Sequence, residues 1–252
     1  MAASSRSLEW ETFAAAADRI APRFAESVAP IHELVDSSIL FSDGLSVAAL
    51  CELFQITVLL EAGTGFGGST EMLARYFQHT GASTRIVSID QAVNPRWQRL
   101  LGGLRLKRYG RHVWASDKDA RRIARERLAP YRHVSLLRGD ALVELPKIGA
   151  RLAADGERIG VVLDGPKGDD QLRLAEQMLA LSPQVLFAAL DDVGPLFEAE
   201  QRHSRFLASP RAVFVTSERR FFDRYGWVNA GRLPARMIGK PDHTGYGMGV
   251  MV

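Results

Sequence analysis

Apolar residues fall at helical spacing in the first part of the chain and gather into short strand-like runs in the rest. "LEWETFAAAADRIAPRFAESV" and "IHELVDSSIL" have the period of amphipathic helices, with Pro22 and Pro30 as the expected boundaries. "SDGLSVAALCELF" predicts a further helix leading into the first strand. From residue 56 the pattern changes. Apolar, often β-branched runs recur as "ITVLLEA", "RIVSID", "VSLLRGD", "IGVVLDG", "QVLFAALDD", "RAVFVTS" and "GYGMGVMV". Helix-like stretches such as "TEMLARYFQHT" and "DDQLRLAEQML" separate the earlier ones. Strands alternating with helices predict a parallel sheet covered on both faces, and near-continuous apolar strands fit that burial. The last two runs have no long helix between them, so an antiparallel pair closing the sheet is expected. No repeat or composition break divides the chain. The expectation is a single domain, with a helical cap over 1–55 and the sheet-bearing body over 56–252.

Composition narrows the class. The apolar and charged fractions of the 252 residues are those of an ordinary globular protein. No apolar run approaches the ~20 residues that span a bilayer. The start, "MAASSRSLEWETF", lacks the apolar core of a secretory signal. Cys51 is the only cysteine, which excludes an intrachain disulfide and a thiolate zinc site. A cytoplasmic location with no membrane partner is expected. The net charge of +3 is unevenly spread: residues 91–130 hold eleven Lys or Arg against three acids, a local +8 that leaves −5 elsewhere.

Four strand-like runs finish in acids: Glu61, Asp90, Asp164 and the pair Asp191–Asp192. In open α/β sheets, ligands bind at the carboxyl ends of the strands, so this repeated placement marks a site. "ITVLLEAGTGFGGST" adds a glycine loop directly after the first strand. "GTGFGG" fits the dinucleotide fingerprint, and Asp90 lies about where a ribose-binding acid belongs, which makes a nicotinamide dehydrogenase one reading. Glu61 points elsewhere. A carboxylate two positions before the first glycine suits a cationic ligand and would repel a pyrophosphate facing it. Asp164, Asp191 and Asp192 stand at the ends of neighbouring strands and would repel one another unless neutralised. A hard divalent cation such as Mg²⁺ would do so.

"LLEAGTGFGGST" resembles the first motif of class I S-adenosylmethionine-dependent methyltransferases, E/D-x-G-x-G-x-G. "RIVSIDQA" and "LLRGDALVELP" resemble the family's second- and third-strand motifs in the same order. The resemblance runs from about Ile56 to the C-terminus. It implies a Rossmann-like, doubly wound, mostly parallel seven-stranded sheet with an antiparallel C-terminal strand. It assigns Glu61, Gly63, Gly65, Gly67 and Ser69 to the cofactor loop, Asp90 to the ribose hydroxyls, and Asp140 and Ala141 to the adenine.

"VVLDGPKGDD" and "LFAALDDVG" are similar to the metal-dependent catechol O-methyltransferase branch. By that resemblance Asp164 and Asp191 are metal ligands and Lys167 is the general base. Asp192 stands where the family has asparagine and joins the candidate metal ligands. "DGPKG" also departs from the aromatic or histidine residues usual after the aspartate, so a different hold on the acceptor is expected. The implied activity is metal-assisted O-methylation of a small hydroxylated acceptor, with the metal lowering the hydroxyl's pKa and Lys167 taking the proton.

The basic segment carries Trp97, Tyr109 and Trp114 among its cations. Its favoured reading is a solvated helix, "SDKDARRIARERLAP"; the sharper one is a lid for RNA or another anionic acceptor. His112, His133, His203 and His243 are scattered and read as structural or exposed. A cofactor-binding or RNA-associated protein without catalysis is the reading from outside the enzymes. The apolar faces of the N-terminal helices permit either a pocket cap or a homodimer contact.

Overall fold

The computed structural model describes residues 8–31, 39–90, 117–165, 168–193, 199–229 and 247–252. The seven apolar runs become seven strands: β1 (Val58–Ala62), β2 (Arg85–Asp90), β3 (Val134–Arg138), β4 (Ile159–Leu163), β5 (Val185–Leu190), β6 (Ala212–Val215) and β7 (Gly249–Met251). They form one sheet in the order β3-β2-β1-β4-β5-β7-β6. The first five are parallel. The antiparallel pair at the C-terminus is present, but β7 inserts between β5 and β6 and runs against both. The plain dinucleotide-binding order is 3-2-1-4-5-6. The sheet is thus Rossmann-like and doubly wound, with the antiparallel C-terminal strand that the methyltransferase resemblance implies.

Strand alternation feeds two cores. Leu59 and Phe187 turn to a face covered by α1 (Trp10–Val28), α2 (Phe41–Leu53) and α3 (Gly68–Thr80). Leu60, Leu163 and Leu190 turn to the other, covered by α5 (Ala141–Ala154) and α6 (Asp169–Leu181). α4 (Asp117–Leu128) and α8 (Arg219–Tyr225) lie on the first face through Leu128 and Phe221, and α7 (Ala199–Ala208) lies on the second through Phe206. No helix of the described residues is long and apolar enough to cross a membrane.

One expected boundary is corrected. Pro22 does not end a helix; α1 runs through it to Val28 and stops before Pro30. An interior proline costs about 3 kcal/mol, and the buried stripe of Phe13, Ala17, Ile20, Phe24 and Val28 offsets it. α2 is buried on nearly every side, from Phe41 to Cys51. It is therefore a core helix, and its lack of an amphipathic stripe follows from that burial. Most of "IHELVDSSIL", residues 32–38, lies outside the described residues.

A candidate ligand site at the carboxyl edge of the sheet

Parallel register brings the acids to one edge. Ala62 pairs with Ile89 on one side and Leu163 on the other, and Leu163 pairs with Leu190. Along the sheet's carboxyl edge the acids therefore stand in the order Asp90, Glu61, Asp164 and then Asp191–Asp192, with neighbouring strands about 4.8 Å apart.

The glycine loop joins this edge to α3. Gly63 has φ +97°, and a Cβ there would lie 3.0 Å from Gly165 N and 3.1 Å from Asp164 C. Only glycine lets the end of β1 approach the backbone that carries Asp164 so closely. Gly67 caps α3 with φ +79°, and a Cβ there would press on Leu128 and Ala124 of α4. Gly65 N donates to Asp90 Oδ2 at 2.8 Å, so the acid that ends β2 braces the loop.

Beneath the loop lies a buried hydroxyl network centred on Glu61. The carboxylate is 1 % exposed. Its Oε2 accepts from Thr70 Oγ1 at 2.5 Å, in the first turn of α3, whose positive end favours a negative charge. Thr64 Oγ1 and Ser88 Oγ share a hydrogen bond of 2.6 Å beside it. Glu61 Oε1 has no hydrogen-bond partner. Burial raises the Glu61 pKa, Ser88 and Thr70 oppose the rise, and the neighbouring Asp90 adds to it. Buried polar groups are nearly always partnered, so the orphaned oxygen fits a site made for a cationic donor.

The remaining cofactor candidates are engaged locally. Ser69 Oγ accepts from Ile39 N at 3.1 Å and pins the entry to α2 against α3. Asp140 caps α5, its Oδ1 accepting from Leu142 N at 3.0 Å. Ala141 is buried in the first turn of the same helix.

At the β4 and β5 ends, Asp164 N donates to Ala62 O and Asp191 N to Leu163 O, so both acids continue the ladder. Asp192 follows at φ +58°, a left-handed conformation that Asp and Asn tolerate best after glycine. Among the described residues no group of three or more His, Cys, Asp or Glu side chains could hold a metal ion. Lys167 lies outside the described residues.

Two residues here escaped the sequence reading. Asp43, fully buried on α2, accepts from Thr216 Oγ1 at 2.5 Å and from Leu40 N at 3.3 Å. Burial pushes its pKa up to about 7, and the charges of Asp191 and Asp192 add to the rise. Its signal was an acid at the start of the largely apolar "FSDGLSVAALC". Gln171 of α6, also buried, donates from Nε2 to Leu163 O at 2.5 Å and Asp191 O at 3.0 Å. It thereby clamps the two strand ends that carry Asp164 and Asp191. Nothing in the sequence around Gln171 marked it.

No protein-family profile and no curated protein sequence matches the chain. Solved structures do resemble it. The O-methyltransferase TomG of Streptomyces achromogenes, involved in tomaymycin synthesis and solved with S-adenosylmethionine, is 18% identical, with TM-score 0.47 over 97% of this chain and 89% of that one. An O-methyltransferase from Bacillus cereus in complex with S-adenosylhomocysteine is 17% identical, with TM-score 0.47 over 96% of this chain and 99% of that one. The S-adenosylhomocysteine-bound methyltransferase PaMTH1 of Podospora anserina is 14% identical, with TM-score 0.48 over 98% and 90%.

Proposed function

We propose that the chain is an S-adenosylmethionine-dependent methyltransferase that transfers a methyl group to a hydroxyl of a small acceptor. The observation that carries the reading is Glu61: a buried carboxylate with one unpartnered oxygen, immediately before a glycine loop. A pyrophosphate would meet a negative charge there, whereas the cofactor's ammonium and sulfonium would meet a counter-charge. The antiparallel β7 between β5 and β6 argues against the dehydrogenase alternative on independent, topological grounds.

The bound cofactor would supply a methyl group on a positively charged sulfur. The chain's part is to hold and align. Glu61 would receive the ammonium of the amino-acid end, with Gly63, Gly65 and Gly67, whose amides are held by Ile89 O, Asp90 Oδ2 and Thr64 O, shaping the loop for its close approach and the N-terminus of α3 adding its dipole. Asp90, already fixed by Gly65, would take the ribose hydroxyls, with Asp140 and Ala141 beside the adenine and Ser69 holding the loop's far end. Asp164 and Asp191, clamped by Gln171, would face the acceptor. Lys167 would accept the hydroxyl proton as the oxygen takes the methyl group, so the acceptor leaves as a methyl ether. A lysine has an ordinary pKa near ~10.4, and desolvation or a neighbouring cation must lower it for this role.

Asp164, Asp191 and Asp192 do not gather into a three-acid metal group among the described residues; a divalent cation such as Mg²⁺, if held by Asp164 and Asp191, would supply Lewis acidity to the acceptor oxygen. Asp164→Ala and Asp191→Ala should each abolish methyl transfer while S-adenosylhomocysteine affinity stays within a few-fold. Turnover undiminished in EDTA would remove the cation and leave the methyltransferase; turnover undiminished in both variants would remove these acids from the acceptor site.

A further inference from the structure

α2 begins without a cap of its own. Leu40 stands at its N-cap and offers no side-chain acceptor. Three side chains hold the backbone amides of this entry instead. Ser69 Oγ, in the first turn of α3 after the cofactor loop, accepts from Ile39 N at 3.1 Å. Asp43 Oδ2 reaches back to Leu40 N at 3.3 Å. Asn229, which ends the one-turn 3-10 helix Gly226–Asn229, accepts from Ser42 N at 3.0 Å and donates to Ser42 Oγ at 3.1 Å.

Asp43 carries this junction on toward the acceptor side. Its Oδ1 accepts from Thr216 Oγ1 at 2.5 Å, and Thr216 Oγ1 in turn accepts from Met248 N at 2.8 Å. Thr216 N donates to Met248 O at 3.0 Å, and Gly247 O accepts from Val193 N at 2.8 Å. Val193 directly follows Asp191 and Asp192 in the chain. A Cβ on Gly247 would lie 2.7 Å from Ser217 Cβ, so the approach to β7 is pressed flush against the end of β6. A path of hydrogen bonds and peptide links thus runs from Ser69, through Asp43, to the turn of Asp191 and Asp192. An acid is a costly strut for it. Burial disfavours the ionised form of Asp43, and the charges of Asp191 and Asp192 add to that cost. Neutral or apolar residues often serve stability as well at such a place. A carboxylate offers an acceptor on each of two oxygens at once, one for Leu40 N and one for Thr216 Oγ1. Residues that break a local rule in this way are expected at functional sites.

We propose that Asp43 is a positioning residue for methyl transfer: by holding Leu40 N and Thr216 Oγ1 together it ties the turn of Asp191 and Asp192 to the cofactor loop, so that a filled loop steadies the acceptor-side acids. Asp43 acts through Thr216 and the approach to β7, not on either ligand. The proposal rests on the methyltransferase reading for what fills the loop.

The test is amide hydrogen exchange of the full chain with and without saturating S-adenosylhomocysteine, alongside calorimetric titration with the same ligand. The readout is the ratio of exchange rates with and without ligand, which a merely structural loss leaves unchanged. In the wild type the ligand should slow exchange across Gly63–Thr70 and, by about threefold or more, at Val193 and Met248. Thr216→Val keeps the shape of the side chain and removes its hydroxyl. It should bind S-adenosylhomocysteine within about twofold of wild type and protect the loop equally, yet lose the slowing at Val193 and Met248. Thr216→Ser should restore it. Asp43→Asn, which can accept from only one of the two donors, should lose it as Thr216→Val does. Slowing at Val193 and Met248 that survives in both Thr216→Val and Asp43→Asn would be general stabilisation by the ligand and would overturn the proposal. So would a wild type in which the loop is protected and these two amides are not. Failure of every one of these proteins to bind S-adenosylhomocysteine would fail the methyltransferase reading, and the proposal with it.

Discussion

Replacing Glu61 by glutamine should stabilise the free protein and loosen its hold on the cofactor. The wild-type carboxylate has one oxygen bonded to Thr70 Oγ1 and one bonded to nothing. Leaving a buried polar group unsatisfied costs about 1–3 kcal/mol, more if it is charged. Glutamine keeps a carbonyl oxygen for Thr70 and removes the buried charge, but its amide brings N–H groups that need acceptors of their own. A net gain of about 1 kcal/mol remains, worth roughly 2–4 °C in melting temperature for a chain of this size. The ligand moves the other way. Losing a charge-assisted bond to the cofactor's ammonium should weaken S-adenosylhomocysteine by about tenfold to a hundredfold. The pH dependence separates the two effects. Burial raises the Glu61 pKa, so the native state holds this proton more tightly than the unfolded chain. Its contribution to stability is full at low pH and is lost as pH rises through the native pKa. Cofactor affinity should rise over the same window, because the ionised form makes the pair. Thermal melts and calorimetry from pH 5 to 8 on both proteins read both slopes. A variant that melts lower than wild type and binds S-adenosylhomocysteine equally well would refute the reasoning and make Glu61 a strut of the hydroxyl network.

Three further outcomes are expected. Asp43 titrates at about 7 from an ordinary value of 3.8, so stability should decline between these limits by up to roughly 4 kcal/mol as pH rises. Asp43→Asn should flatten that decline in urea titrations at pH 5 and 8; a wild type more stable at pH 8, with the variant tracking it, would contradict the assignment. Asp192→Ala should cost about 1–2 kcal/mol, because alanine is strained at φ +58°. Asp192→Asn should be near neutral and should move the Asp43-dependent decline to lower pH by removing a neighbouring charge, a shift the same titrations would show or deny. Gly63→Ala should cost about 2–4 kcal/mol, from the left-handed backbone and the collision with Gly165 N. A melting temperature within 2 °C of wild type would mean that the ends of β1 and β4 leave room for a Cβ at residue 63.

The sheet was legible because its strands are short, apolar and separated by turn-forming residues, and because acids end four of them. The place of β7 was not, since pairing between distant segments leaves no periodic mark in "GMGVMV". Pro22 misled because local propensity says nothing about the buried stripe on either side of it. At the site, Glu61, Gly63 and Asp90 announced themselves by position. Asp43 and Gln171 did not, because their significance comes from what tertiary packing sets against them: two strand-end acids and two carbonyls.

The loop after β1 is proposed to receive a cation-bearing nucleoside and not a dinucleotide. Calorimetric titration of the purified chain with S-adenosylhomocysteine, in Mg²⁺ and in EDTA, with NADH as the control, tests it most directly. Micromolar binding of S-adenosylhomocysteine and none of NADH is expected. Binding of NADH alone would contradict it and make the chain a dinucleotide enzyme with Glu61 turned away from its ligand.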